Sequence, residues 1–308
     1  MPELQTRHSI ADALDVAAGR LAHAGLARED ARREATAIWA ALDGVSPGAV
    51  WQRREDAAPL GLAGRFRDAV SRRSSGVPFA YAVGRASFRH LELRLDRRAL
   101  IPRPETEGLV DGVLEWMRAR AAAAAGEGSG HGTRGGWGVA ADIGTGCGCI
   151  ALALATEGEF DRVIAVERST EAAALARENV TLVAPRTPVE VRVGDLLVPL
   201  AGERCRVIVA NPPYLTDAEH AALDPAVRDF EPREALASGP DGLAATRALM
   251  EGAGRVLEPG GLLALEVDER RAEPVRVLAL ASGWSRVMIR QDLFGRSRYA
   301  LATRARAR

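Results

Sequence analysis

Ala141–Ala155 reads ADIGTGCGCIALALA. An apolar run carries one acid, Asp142, and gives way to glycines at alternate positions, Gly144, Gly146 and Gly148. From Cys149 the chain is small and apolar without interruption. Alternate glycines suit neither a strand nor a helix interior. They suit a sharp turn, where a missing Cβ lets the backbone take unusual conformations and lets a ligand approach the main chain. The spacing predicts a strand over Val139–Ile143, a glycine turn, and a helix over Cys149–Thr156. A nucleotide-type ligand loop requires that context.

Downstream the same texture repeats. Strands are expected at Arg162–Val166, Val189–Val193, Val207–Ala210 and Leu262–Val267, and helices at Glu171–Val180 and Leu243–Leu257. The strand-like stretches WSRVMIR (Trp284–Arg290) and RYALATR (Arg298–Arg304) follow. Alternation of this kind implies an α/β fold, a parallel sheet covered by helices on both faces. Upstream, Ile10, Ala13, Leu14, Ala17, Leu21 and Ala24 recur at helical spacing, as do Ala31, Ala35, Ile38, Trp39 and Leu42. Leu62, Phe66, Ala69 and Val70 mark another such face, so a small helical bundle is expected, with Trp39 and Trp51 in its core. Leu91, Leu93 and Leu95 alternate with polar residues as a half-exposed strand, and a short hairpin or linker leads to LIPRPETE (Leu100–Glu107). Glu105–Arg120 reads as a helix, and the glycine-rich Ala121–Gly138 as a mobile loop.

Composition narrows the function. Lysine plus arginine and aspartate plus glutamate both number 41, so the chain lacks the positive excess that broad nucleic-acid binding needs. It shows no signal peptide and no 18-residue apolar window, so neither secretion nor a membrane span is expected. Three cysteines, Cys147, Cys149 and Cys205, suit a reducing cytoplasm. Their spacing suits no zinc site, and the five histidines are scattered, so no metal is expected.

Two cofactors fit the glycine loop, a dinucleotide and S-adenosylmethionine. A dinucleotide loop spaces its glycines G-x-G-x-x-G, whereas this one runs G-x-G-x-G behind Asp142. An acid there disfavours a pyrophosphate and suits the ammonium of a methionine. Glu167 ends the next strand about 20 residues on, where a carboxylate can accept from both ribose hydroxyls. Asp195 can accept from an adenine amino group, with Leu196 against the ring.

VIVANPPYLT (Val207–Thr216) ends a buried strand with a rigid elbow, Asn211-Pro212-Pro213-Tyr214. Neither proline can donate to a sheet, so the chain leaves it there. In a doubly wound sheet, ligands bind beyond the strand ends where the strand order reverses. A planar NH2 group is a poor nucleophile because its lone pair is delocalised. The Asn211 side-chain oxygen and the Pro212 carbonyl can each accept one of its N–H groups, holding the nitrogen close to a methyl donor. Tyr214 can stack on the flat target.

Together these residues resemble the protein-(glutamine-N5) methyltransferases of HemK/PrmC type, which modify peptide chain release factors. YAVGRASF (Tyr81–Phe88), LIPRPETE, DIGTGCGCIALALA, NPPY and DFEPREAL (Asp229–Leu236) carry the likeness. It implies a class I, Rossmann-like methyltransferase sheet over 109–308, a β-hairpin and linker over 85–108, and a small helical substrate-recognition domain over 1–84. It implies S-adenosylmethionine at Gly144, Thr145, Gly146, Cys147, Gly148, Glu167 and Leu196, with Asn211 between cofactor and substrate; the residues themselves add Asp142 and Asp195 to the cofactor site. The glutamine of the release factor's Gly-Gly-Gln loop is expected against Asn211, Pro212, Pro213 and Tyr214, with Arg103 and Glu105 at the mouth. Glu167 stands where the family more often has aspartate, and LEVDERRA (Leu265–Ala272) departs from the family pattern. A cytoplasmic monomer is expected, with the release factor as its partner and no direct contact with nucleic acid. The alternative is an N6-adenine methyltransferase of DNA or RNA, which shares the elbow. A non-catalytic module on this fold would not keep both loop and elbow intact.

Overall fold

The computed structural model describes residues 8–126 and 136–305. Two compact units divide it, one reaching to Arg85 and including Pro225–Phe230, the other formed by the remainder.

The first unit begins with a capping box. The Ser9 side chain accepts from the Asp12 N–H, and the Asp12 carboxylate accepts from the Ser9 N–H, which satisfies two orphan donors and starts α1 (Ile10–His23). Helices α2 (Arg28–Asp43), α3 (Pro47–Gln52), α4 (Leu60–Ser74) and α5 (Phe79–Val83) follow. Ile10, Leu21, Ile38, Trp39 and Phe66 are buried at their centre. The Trp39 ring meets Phe66 edge-on at 4.9 Å. Trp51 does not share that core. It is 62% exposed and carries the Arg54 guanidinium 4.3 Å above its ring. Helix α3 is only six residues long and buries Val50, which leaves Trp51 on the solvent side.

Strands β1 (Arg85–Phe88) and β2 (Leu91–Arg94) form a separate two-stranded sheet. Helix α6 (Pro104–Gly126) then runs six residues into the stretch expected to be a loop. Ala121–Ala125 is an alanine run, and alanine is the best helix former. Residues 127–135 of that stretch lie outside the described residues. Its end is tied down. Gly136 and Gly138 N–H groups donate to the Asp161 carboxylate at 2.9 and 3.0 Å, and the Trp137 ring meets Phe160 at 5.3 Å.

The main sheet is built from β3 (Val139–Ile143), β4 (Arg162–Glu167), β5 (Val189–Val193), β6 (Cys205–Ala210), β7 (Leu257–Glu266), β8 (Arg286–Gln291) and β9 (Ser297–Thr303). Helices α7 (Cys149–Glu157), α8 (Thr170–Val183), α9 (Asp217–Ala221), α10 (Pro225–Arg228), α11 (Ala244–Gly252) and α12 (Ala272–Ala281) connect them. The order is β5-β4-β3-β6-β7-β9-β8. The first five strands are parallel, and β9 runs against both its neighbours. The expected parallel sheet therefore has an antiparallel end. Five residues join β8 to β9, which allows a hairpin but no crossover. Helix α11 is shorter than the periodicity suggested, because the chain tightens into a 3-10 turn at Ala253–Arg255 before β7. No helix among the described residues is long and apolar enough to cross a membrane.

Candidate active site

The chain leaves β3 towards β4 and leaves β6 towards β7, so the strand order reverses between β3 and β6. These two strands pair in register, with Ile143 opposite Ala210. The next residue on each is Gly144 and Asn211. Glycine loop and proline elbow thus leave the sheet side by side, as the switch-point reading expects.

A cavity of about 560 Å3 opens there, a size that takes a ligand larger than a metabolite fragment. Its wall includes Gly144, Gly146, Glu167, Asp195, Leu196 and Asn211–Pro213, together with Leu100 and the segment Pro232–Ala235. Gly144, Gly146 and Gly148 have φ of 72°, 56° and 90°. These are left-handed values that side chains disfavour. No atom stands within 4 Å of where a Cβ on Gly144 would lie, so the backbone conformation rather than crowding requires glycine there. Leu196 also takes a left-handed φ of 44°, and its side chain packs against the sheet core.

Three carboxylates stand at the C-terminal ends of the parallel strands. Asp142 on β3 has no exposed surface. Its Oδ2 accepts from Thr145 Oγ1 at 2.6 Å and from Ala151 N at 3.0 Å, tying the loop to the start of α7. Its Oδ1 has no partner among the described residues, and burial pushes its pKa up to about 7. Glu167 on β4 accepts from Gly146 N and from Ser169 N, each at 2.9 Å, and still faces the cavity. Each of its oxygens keeps a lone pair for a further donor. Glu266, the last residue of β7, is 1% exposed, and burial pushes its pKa up to about 7.

Glu266 is joined to the elbow. Thr106 Oγ1 donates to Glu266 Oε2 at 2.7 Å, and Asn211 Nδ2 donates to Thr106 Oγ1 at 3.1 Å. Tyr214 is half-buried, and its pKa is raised by desolvation and then by the charge of Glu266.

Residues 12–84 match the family described as PrmC N-terminal domain, and residues 135–229 match the Methyltransferase small domain. The release factor glutamine methyltransferase of Moorella thermoacetica is 37% identical over 297 residues, 96% of this chain and 99% of that one. That of Cereibacter sphaeroides is 37% identical over 292 residues, 95% and 97% of the two chains. The chain belongs to the release factor glutamine methyltransferases. Among solved structures, a methyltransferase from Pyrococcus furiosus has a similar fold, with a TM-score of 0.51 at 20% identity, covering 76% of this chain and 99% of that one.

As a methyltransferase of this family, the protein takes its methyl group from S-adenosylmethionine. The residues present fit that cofactor. The glycine backbone leaves room along the wall, Glu167 offers free lone pairs, and Leu196 supplies an apolar surface. The structure sorts the residues singled out in the sequence. Gly144, Gly146, Glu167, Asp195, Leu196, Asn211, Pro212 and Pro213 line one cavity. Asp142, Thr145, Cys147, Gly148 and Tyr214 lie outside that lining. The Asp142 carboxylate is buried beneath the loop it organises. The Cys147 carbonyl accepts from the buried Asn179 Nδ2 at 2.8 Å. Asn179 also bonds Arg94, so one side chain fixes the loop to the residue ending β2.

Arg103 and Glu105 do not line the cavity either. Arg103 Nη2 donates to Glu231 Oε1 at 2.7 Å, and Glu231, whose side chain is 1% exposed, also accepts from Ile101 N. Glu105 pairs with Arg296 at 3.0 Å, and its carbonyl accepts from Tyr299 Oη at 2.6 Å. Both residues anchor the linker. Thr106 and Glu266 escaped the sequence reading. The signal was present, since Glu266 ends an apolar run, Leu262–Leu265, as Glu167 ends Val163–Val166.

Proposed function

We propose that this methyltransferase transfers the methyl group of S-adenosylmethionine to the side-chain N5 of the glutamine in the Gly-Gly-Gln loop of peptide chain release factors. One observation carries the reading: the elbow Asn211–Pro213 walls the same cavity as Gly144, Gly146 and Glu167. An acceptor-bearing elbow therefore borders the space that fits the cofactor.

The cofactor supplies an electrophilic methyl on a sulfonium. The chain supplies position. Glu167 accepts from ribose hydroxyls, Asp195 from an adenine amino group, and Leu196 packs on the base. Asn211 Oδ1 and the Pro212 carbonyl accept the two N–H groups of the target amide. These bonds would hold the nitrogen in place and stabilise the positive charge that builds on it as it takes the methyl group. The extra proton on nitrogen leaves to water. Tyr214 stacks on the flat amide. The helical unit before residue 85 grips the release factor, and the enzyme works as a monomer without direct contact to nucleic acid.

The test is mass spectrometry of release factor incubated with enzyme and S-adenosylmethionine. One added methyl on the Gly-Gly-Gln glutamine is expected. Methylated adenine in DNA or RNA, with unmodified release factor, overturns the reading.

A further inference from the structure

Thr106 has one hydroxyl proton, and Oγ1 lies 2.7 Å from a carboxylate oxygen of Glu266. An ionised carboxylate only accepts, so the proton goes to Glu266. Thr106 Oγ1 can then only accept from Asn211. The Asn211 group facing it is therefore Nδ2, and Oδ1 is the end left for a ligand. Chemistry, not only fit, decides which way the amide points. Thr106 and Glu266 are 2% and 1% exposed, so water does not compete for the bond between them.

We propose that Thr106 and Glu266 are positioning residues for methyl transfer, a buried relay that locks the Asn211 side chain with its oxygen towards the substrate amide. The proposal rests on the reading of Asn211 as the acceptor for the target nitrogen. Neither residue touches the substrate. Their effect passes through Asn211, and the negative charge behind the relay also makes Oδ1 a stronger acceptor.

The relay has a polarity that protonation reverses. A protonated Glu266 can donate to Thr106, which frees the threonine proton for Asn211 Oδ1. The amide can then flip and present Nδ2, a donor, to the substrate's own NH2. The charged and titratable groups around Glu266 are Arg103 and Glu105 of the linker, Arg298 and Tyr299 of β9, and Tyr214 of the elbow, with Asp268 acting in turn on Tyr214 and Asp292 on Tyr299. Burial dominates among these influences and brings the titration of Glu266 to about neutral pH.

The experiment is single-turnover methylation of release factor by the full chain across pH, with S-adenosylmethionine titration of each variant. Thr106→Val keeps the shape and removes the hydroxyl. It is expected to slow transfer about ten-fold, the weight of one neutral hydrogen bond, with cofactor affinity unchanged. Thr106→Ser is expected to restore the rate. In an Asn211→Ala background, itself expected to be roughly a hundred- to a thousand-fold slower, Thr106→Val should cost nothing more. Wild-type rates should climb as pH rises through about 7, and Glu266→Gln should lose that rise. An equal loss from Thr106→Val in both backgrounds, or a pH profile untouched by Glu266→Gln, overturns the relay. A wild-type enzyme that leaves release factor unmodified sinks the functional reading instead. The relay then stands or falls on the free protein, where NMR should find an exchange-protected Asn211 Nδ2 proton that Thr106→Val exposes. An unprotected proton in the wild type also overturns it.

Discussion

Gly144–Gly148 and Leu100–Glu107 both serve the site, and both restrict the backbone, one by glycine and the other by proline. They reach the chemistry differently. The glycine loop acts through its main chain, and the cause of its shape is local: left-handed φ values at alternate residues. The linker acts through side chains whose partners are far along the chain. Arg103 meets Glu231, Glu105 meets Arg296, and Thr106 meets Glu266. A feature with a local cause can be read from the residues that carry it. A feature with a distant partner cannot.

Three substitutions sharpen this contrast. Arg103→Ala should act on stability, because it strands a carboxylate that is 1% exposed. Removing one partner of a buried pair costs about 3 kcal/mol at the low end of the usual range, the end appropriate to an arginine that is partly exposed. Urea unfolding of the variant reads this directly, and a loss near zero would reduce the pair to a surface contact. Gly146→Ala should act on cofactor binding. A Cβ there would meet nothing closer than Ala99 at 3.9 Å, so the penalty is the left-handed φ of 56° alone. That costs about 1–2 kcal/mol, roughly a ten-fold weaker affinity for S-adenosylmethionine by calorimetry if the loop relaxes in the free protein. Glu105→Ala should do least. Its pair with Arg296 leaves the two side chains 29% and 33% exposed, so unfolding should shift by under ~1 kcal/mol. A shift as large as that of Arg103→Ala would erase the difference drawn between the two ends of the linker.

The same distinction explains what could be read in advance. Strand–loop–helix alternation placed β3, β4, β5 and β6, and the paired prolines placed the elbow, since each signal lies within a few residues. The antiparallel β9 was not legible, because strand direction depends on which neighbours pair. Trp51 was expected in the core because tryptophan is large and apolar, yet one short helix turn put Val50 inwards instead. Asp142 was legible as an acid by the loop but not as a buried bracket between Thr145 and Ala151. Thr106 was part of a quoted motif, but the hydroxyl's role needed Glu266, 160 residues away, to be visible.

Strand β9 follows β8 in the chain yet lies between it and β7. During synthesis, β8 therefore has no place in the sheet until β9 has been made. The cofactor wall has no such wait, because Gly144–Pro213 pairs only strands already made. The linker does, since Tyr299 of β9 holds the Glu105 carbonyl and Arg296 holds its carboxylate. The glycine loop and the proline elbow can thus mature before the linker is held at Glu105. A nascent chain paused short of Ser297 would carry a formed glycine loop beside a linker held at Arg103 and Thr106 but not yet by Tyr299.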